Sequence, residues 1–121
     1  MGRSSDPVLF SKAIADETRQ KIMALICCRE LCVSDLVEEL GNVSQPTVSH
    51  HLQILRAAAL VDTRRDGKQI YYTLRQEAIA DCCRVIAFRF APEVNLAAPE
   101  THDAASGTKA NTPENSNRAT S

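Results

Sequence analysis

Ser44-Gln-Pro-Thr-Val-Ser-His-His-Leu-Gln-Ile-Leu-Arg56 is the stretch on which the fold turns. Its spacing predicts an amphipathic helix with a capped start. The Ser44 hydroxyl can accept an otherwise unpaired backbone N–H, and Pro46 falls in the first turn, where a missing N–H is harmless. Val48, Leu52, Leu55 and Ala59 recur at helical spacing and form one apolar stripe. The opposite face carries Gln45, Thr47, Ser49, His50, Gln53 and Arg56 in place of the usual glutamates and lysines. Such short hydrogen-bonding groups, closed by a cation, suit base edges and phosphates. Ser34 to Leu40 predicts a shorter helix just before it, ended by Gly41, since glycine enters the left-handed conformation without steric penalty. Helix, tight turn and polar-faced helix together make the sequence form of a DNA-reading helix-turn-helix.

Working outward, Pro7 to Asp16 predicts a first helix, with Val8, Leu9, Ile14 and Ala15 available for burial. Glu17 to Arg29 predicts a second, with Ile22, Leu25 and Ile26 as its apolar face. Glu30 to Val33 reads as a short extended link. Beyond Ala59, Leu60 to Arg65 and Gln69 to Leu74 flank the turn Asp66-Gly67, a hairpin signal because the turn needs a positive φ. Glu77 to Phe90 returns to helical periodicity, with Ile79, Val85, Ile86 and Phe90 apolar. The fold class is mainly α with a β-hairpin wing: a winged helix-turn-helix in the order helix, helix, helix, reading helix, strand, strand, helix. Arg64, Arg65, Lys68 and Gln69 sit at or near the wing tip. A charged tip often serves solubility alone; beside this reading helix it is expected to touch phosphates.

The 121 residues allow one domain with a modest core. Residues 1–6 read as a flexible start, 7–91 as the folded domain and 92–121 as a disordered tail. That tail is rich in Ala, Pro, Asn, Thr, Ser and Glu and has too little apolar surface to offset its ordering entropy. The net charge of −1 argues weakly against nucleic acid, but its distribution argues for it. From Ser44 to Arg75 the bases Arg56, Arg64, Arg65, Lys68 and Arg75 face only Asp62 and Asp66, whereas acids dominate after Pro92. No apolar run reaches the length of a membrane span and no signal peptide is visible, so the expected compartment is the cytoplasm, without membrane association. The five cysteines, Cys27, Cys28, Cys32, Cys82 and Cys83, are odd in number and include two vicinal pairs. That pattern points to reduced thiols used as ligands or redox groups rather than to a disulfide scaffold. No Ser-His-acid set, paired carboxylates or glycine-rich phosphate loop is present, which leaves an enzyme nothing to work with.

Four stretches, Ala15-Asp-Glu-Thr-Arg19, Glu30-Leu-Cys-Val-Ser-Asp-Leu36, Ser44-Gln-Pro-Thr-Val-Ser-His-His-Leu52 and Arg65-Asp-Gly-Lys-Gln-Ile-Tyr-Tyr72, resemble the ArsR/SmtB family of metal- and metalloid-sensing repressors. The resemblance covers about residues 7–90. It implies a homodimer paired through the first and last helices, bound to a near-palindromic double-stranded operator and released by an inducer. It makes Gln45, Ser49 and His50 the reading contacts, with two reading helices about one DNA turn apart.

The resemblance also frames the inducer. One type of arsenic sensor uses a Cys-x-Cys where this chain has Cys32-Val-Ser34, and serine is a poor ligand for a soft ion. Zinc sensors of another type use Asp, His and Glu on the last helix, where this chain has no histidine. His102 lies in the tail, and His50 and His51 belong to the reading helix. What remains is Cys82-Cys83, the expected ligands for As(III), methylated arsenicals or antimonite, because soft ligands select soft ions. A third sulfur comes from Cys27, Cys28 or the other subunit; Cys32 ranks lower. Free cysteine also packs as a small hydrophobe, and that reading stands beside the ligand one. A redox- or persulfide-responsive repressor, a cadmium or lead sensor, and a metal-buffering or interaction module that has lost DNA binding remain alternatives.

Overall fold

The computed structural model describes residues 6–94. Five helices and one hairpin follow in the order α1 (Pro7–Ile14), α2 (Glu17–Leu25), α3 (Val33–Leu40), α4 (Gln45–Ala57), β1 (Val61–Asp66), β2 (Gln69–Leu74) and α5 (Gln76–Phe90). Of the predicted tail, 92–121, the part from residue 95 on, and of the predicted start, 1–6, the part before Asp6, lie outside the described residues. Asp6 itself caps α1, its carboxylate accepting from the N–H groups of Val8 at 2.9 Å and Leu9 at 3.2 Å.

Local chemistry sets most boundaries. Asp16 caps α2 by accepting from Arg19 N at 2.9 Å. Cys32 starts α3, with Asp35 reaching back to accept from its N–H at 3.1 Å. Gly41 closes α3 at φ 80°, and Ser44 caps α4 by accepting from Thr47 N at 3.4 Å. In the wing, Asp66 pairs with Gln69, so the loop is Gly67-Lys68, one residue later than the predicted Asp66-Gly67. Gly67 supplies the positive φ, 65°.

Tertiary contacts overrule periodicity in three places. First, α2 ends at Leu25 rather than Arg29, because the Ile26 carbonyl accepts from Leu74 N of the hairpin at 2.9 Å. The chain leaves the helix in a turn, and Leu31 then forms a single antiparallel bridge with Tyr72, making the predicted link a third, one-bridge strand of the wing. Second, α1 buries Phe10 and Ala13, whereas Val8 and Leu9, expected inside, are 59 % and 41 % exposed. Third, the stripe of α4 is Val48, Leu52, Leu55 and then Ala58, not Ala59. Ala59 takes a left-handed φ of 60°, which lets Leu60 N reach back to the Leu55 carbonyl at 3.0 Å and turns the chain into β1.

The core is a single cluster in which Ile22 and Ile26 of α2 and Leu36 of α3 meet Val48, Leu52 and Leu55 of α4, with Leu60 and Val61 at the root of the wing. Ala78 and Cys82 bring α5 onto it. Burying the α4 stripe fixes which side of α4 remains outside.

Candidate nucleic-acid interface and thiol sites

With Val48, Leu52 and Leu55 inward, α4 presents Gln45, Thr47, His50, Gln53 and Arg56 to solvent and leaves Ser49 half-buried. All six predicted reading-helix residues therefore share the outer side of α4. Thr47 Oγ1 lies 2.9 Å from Ser44 Oγ, a contact that holds the first turn. Two further α2 residues, not singled out by sequence, join them. Thr18 and Lys21 line a cleft of about 530 Å³ with Asn42, Ser44 and Thr47, directly beside the start of α4. An anion there would meet a lysine and the positive end of a helix dipole.

α4 is aimed by Arg19. Its Nε donates to the Ala13 carbonyl at 2.6 Å and its Nη2 to the Lys12 carbonyl at 3.2 Å, capping the end of α1. Its Nη1 donates to His51 Nδ1 at 3.1 Å. A guanidinium has no acceptor, so His51 Nδ1 carries no proton. Burial pushes the imidazole pKa below its ordinary value, although the nearby Asp16 carboxylate opposes this. Asp16 is in turn held below the usual carboxylate range, chiefly by the Arg19 backbone N–H. His50 and His51 thus part ways: His50 faces out, and His51 ties the reading helix to the α1–α2 corner. The Asp16-Glu-Thr-Arg19 motif carried a visible signal for this corner, but its partner His51 is distant in sequence.

At the wing, Arg64, Arg65 and Lys68 are all exposed, yet they are not equivalent. Neighbours on a strand point to opposite faces. Arg64 donates from Nε and Nη2 to the Glu30 carboxylate at 2.8–3.1 Å and lies 5.0 Å over the Tyr71 ring. The pairing holds Glu30 below, and Arg64 above, their ordinary pKa values. Arg64 therefore braces the wing against the α2–α3 link. Arg65 on the other face and Lys68 at the tip form no ion pair among the described residues, where Arg64 takes Glu30 and Asp66.

The thiols divide unexpectedly. Cys82 is 1 % exposed in the core, while Cys83 faces solvent, so the expected ligand pair is divided between core and surface. Cys32 is buried at the start of α3, 3.2 Å from Ser34 Oγ. Cys27 and Cys28 lie in the turn after α2 with their sulfurs 3.3 Å apart. That contact keeps the Cys27 thiol protonated above the usual thiol range. The Cys27 carbonyl accepts from Gln76 Nε2 at 2.8 Å, joining this turn to the start of α5. Among the described residues no three His, Cys, Asp or Glu side chains cluster closely enough to hold a metal ion. No described helix is long and apolar enough to cross a membrane.

The comparisons agree with this geometry. Residues 16–63 match the family model described as bacterial regulatory protein, arsR family. The chain is 40 % identical over 70 residues to the transcriptional repressor SdpR of Bacillus subtilis, covering 58 % of this chain and 77 % of that one. It is 41 % identical over 70 residues to an arsenical resistance operon repressor of Staphylococcus aureus, covering 58 % and 66 %. Among eight curated relatives, the matched region spans from 55 to 80 % of the relative's length. An ArsR-like transcriptional regulator from Rhodococcus sp. RHA1 superposes with a TM-score of 0.65 at 26 % identity, over 70 % of this chain and 77 % of that one. With the polar side of α4 turned outward, a braced wing and this kinship, the chain belongs to the arsR family of bacterial regulatory proteins.

Proposed function

We propose that the protein is a cytoplasmic, homodimeric transcriptional repressor that holds double-stranded operator DNA and lets go when a soft ion binds its thiols. The observation that carries the DNA half is the outer side of α4, where Gln45, Thr47, His50, Gln53 and Arg56 stand exposed while the helix is fixed from behind by its buried stripe and by Arg19. In this reading Gln45, Ser49, His50 and Gln53 meet base edges. Thr47, Arg56, Arg65, Lys68 and the Thr18–Lys21 cleft meet phosphates. Arg64, set against Glu30, serves the wing more than the phosphate.

Exposed apolar groups support the dimer. Val8 and Leu9 on α1, with Phe88 and Phe90 on α5, are 41–79 % exposed, and α1 packs on α5. A surface of that kind marks an interface. The relatives named for arsenical resistance support As(III) or antimonite as inducer, and the Cys27-Cys28 pair, with Cys83 exposed on α5 and Cys82 buried behind it, offers the sulfur.

Fluorescence anisotropy with DNA from upstream of the protein's own gene tests this reading. Affinity should fall steeply with salt. Gln53→Ala or His50→Ala should each cost about 1–3 kcal/mol on the specific sequence. Arsenite, antimonite or a monoorganoarsenical should release the DNA under reducing conditions. Salt-insensitive or absent binding would refute the DNA half; binding untouched by every thiophile would refute the sensing half.

A further inference from the structure

We propose that Cys27 and Cys28 form a two-sulfur capture site for trivalent monoorganoarsenicals, R–As(OH)₂, at the junction of α2 with α5. This rests on the thiol-triggered reading above and names its chemistry.

The backbone makes the site. On a helix, consecutive side chains point about 100° apart. Cys27 and Cys28 follow the end of α2, in the bend forced when Leu74 takes the Ile26 carbonyl. There the two sulfurs face each other at 3.3 Å, Cys28 exposed and Cys27 half-buried. Two sulfurs so placed can bond one atom at roughly the 2.3 Å of metal–thiolate contacts. They are poorly placed to bond each other: adjacent Cα atoms are about 3.8 Å apart, below the roughly 4.4–6.8 Å that an unstrained disulfide spans. The pair is thus shaped for a bridging soft atom rather than for oxidation to a disulfide.

The donor count selects the ligand. No third His, Cys, Asp or Glu joins the pair among the described residues. A monoorganoarsenical has two exchangeable positions, inorganic arsenite three, and zinc-like ions usually four. Only the first is fully satisfied here. Both As–O bonds of R–As(OH)₂ break and two As–S bonds form. Each thiol proton leaves with a hydroxide as water, and arsenic stays trivalent throughout. The product ring would sit beside the Gln76 contact to the Cys27 carbonyl and the Leu74 contact to the Ile26 carbonyl, the points where α5 and the wing are pinned to α2.

Phenylarsine oxide, which hydrates to this class, is the probe, used with the full-length reduced protein. Intact mass should show one phenylarsenic group per chain. Maleimide footprinting of the same wild-type sample should show Cys27 and Cys28 protected and Cys83 still labelled. Cys28→Ser and Cys27→Ala should each weaken binding at least tenfold, Cys83→Ser should leave it unchanged, and arsenite should bind wild type at least tenfold more weakly. Protection of Cys83 instead, full binding by Cys28→Ser, or arsenite binding as tight as the probe would overturn the proposal. Operator release is read separately. A probe held at Cys27 and Cys28 without DNA release leaves the site standing and removes the switch; release by a Cys28→Ser protein that no longer holds the probe at Cys27 and Cys28 leaves the switch and assigns it to other thiols.

Discussion

Cys27-Cys28 and Cys82-Cys83 are the same dipeptide placed on two different backbones. In the turn after α2 the sulfurs converge at 3.3 Å and meet solvent. On α5 the helix sends one sulfur into the core beside Ala78 and the other to the surface. Vicinal cysteines are therefore not a ligand motif in themselves. The helix parts them and a bend joins them, and that bend is held by distant residues, Leu74 at the carbonyl of Ile26 and Gln76 at the carbonyl of Cys27.

The difference is largest in reactivity. Cys28 and Cys83 should alkylate rapidly in the native protein, whereas Cys82 should react only through opening of the core, on the order of a thousandfold more slowly. Timed iodoacetamide labelling with peptide mass mapping measures this. A Cys82 that labels within tenfold of Cys83 would erase the distinction between the two faces of α5.

Next in size is the response to a buried charge. Cys82→Asp places a carboxylate at a site 1 % exposed and should cost more than about 3 kcal/mol or unfold the domain. Cys83→Asp, one residue on, should change stability by no more than about 0.5 kcal/mol. Urea titrations followed by circular dichroism compare the two directly. If Cys83→Asp proved the more damaging, and the loss shrank at higher protein concentration, Cys83 would be covered by the dimer rather than free.

Local signals were legible in the sequence because their causes are local. Ser44, Pro46 and the Val48-Leu52-Leu55 stripe specify α4 within one stretch, and Gly41 and Gly67 mark turns that need left-handed φ. What was hidden depends on residues far apart. Nothing near Leu25 announces that α2 stops there, since the reason is Leu74. Val8 and Leu9 are apolar enough for a core, and composition does not tell a core from a surface awaiting a second copy. Arg64 reads as a phosphate contact until Glu30 is found beside it, and His51 matches His50 until Arg19 separates them. The thiols are the sharpest case: the resemblance points to Cys82-Cys83 on the last helix, whereas the convergence of Cys27 and Cys28 depends on a bend held by residues far along the chain.

Acidity offers a finer comparison. The thiolate, not the thiol, attacks arsenic, and the contact with Cys28 keeps Cys27 protonated above the ordinary thiol range. Below that range the thiolate fraction grows tenfold for each unit of pH, so the rate of phenylarsine oxide capture should climb about tenfold per unit between pH 6 and 8. The equilibrium should not follow. Capture exchanges two S–H and two As–OH groups for two As–S bonds and two waters, with no net proton released, so the dissociation constant should stay flat over the same interval. Stopped-flow rates set against equilibrium titrations at each pH separate the two quantities. Rates that do not change with pH would mean that Cys27 is already ionised, against the upward push that Cys28 exerts on its thiol. An affinity rising with pH would mean that protons leave on binding, as they do when a bare metal ion displaces them from thiols, and would point the site toward such an ion instead of an organoarsenical.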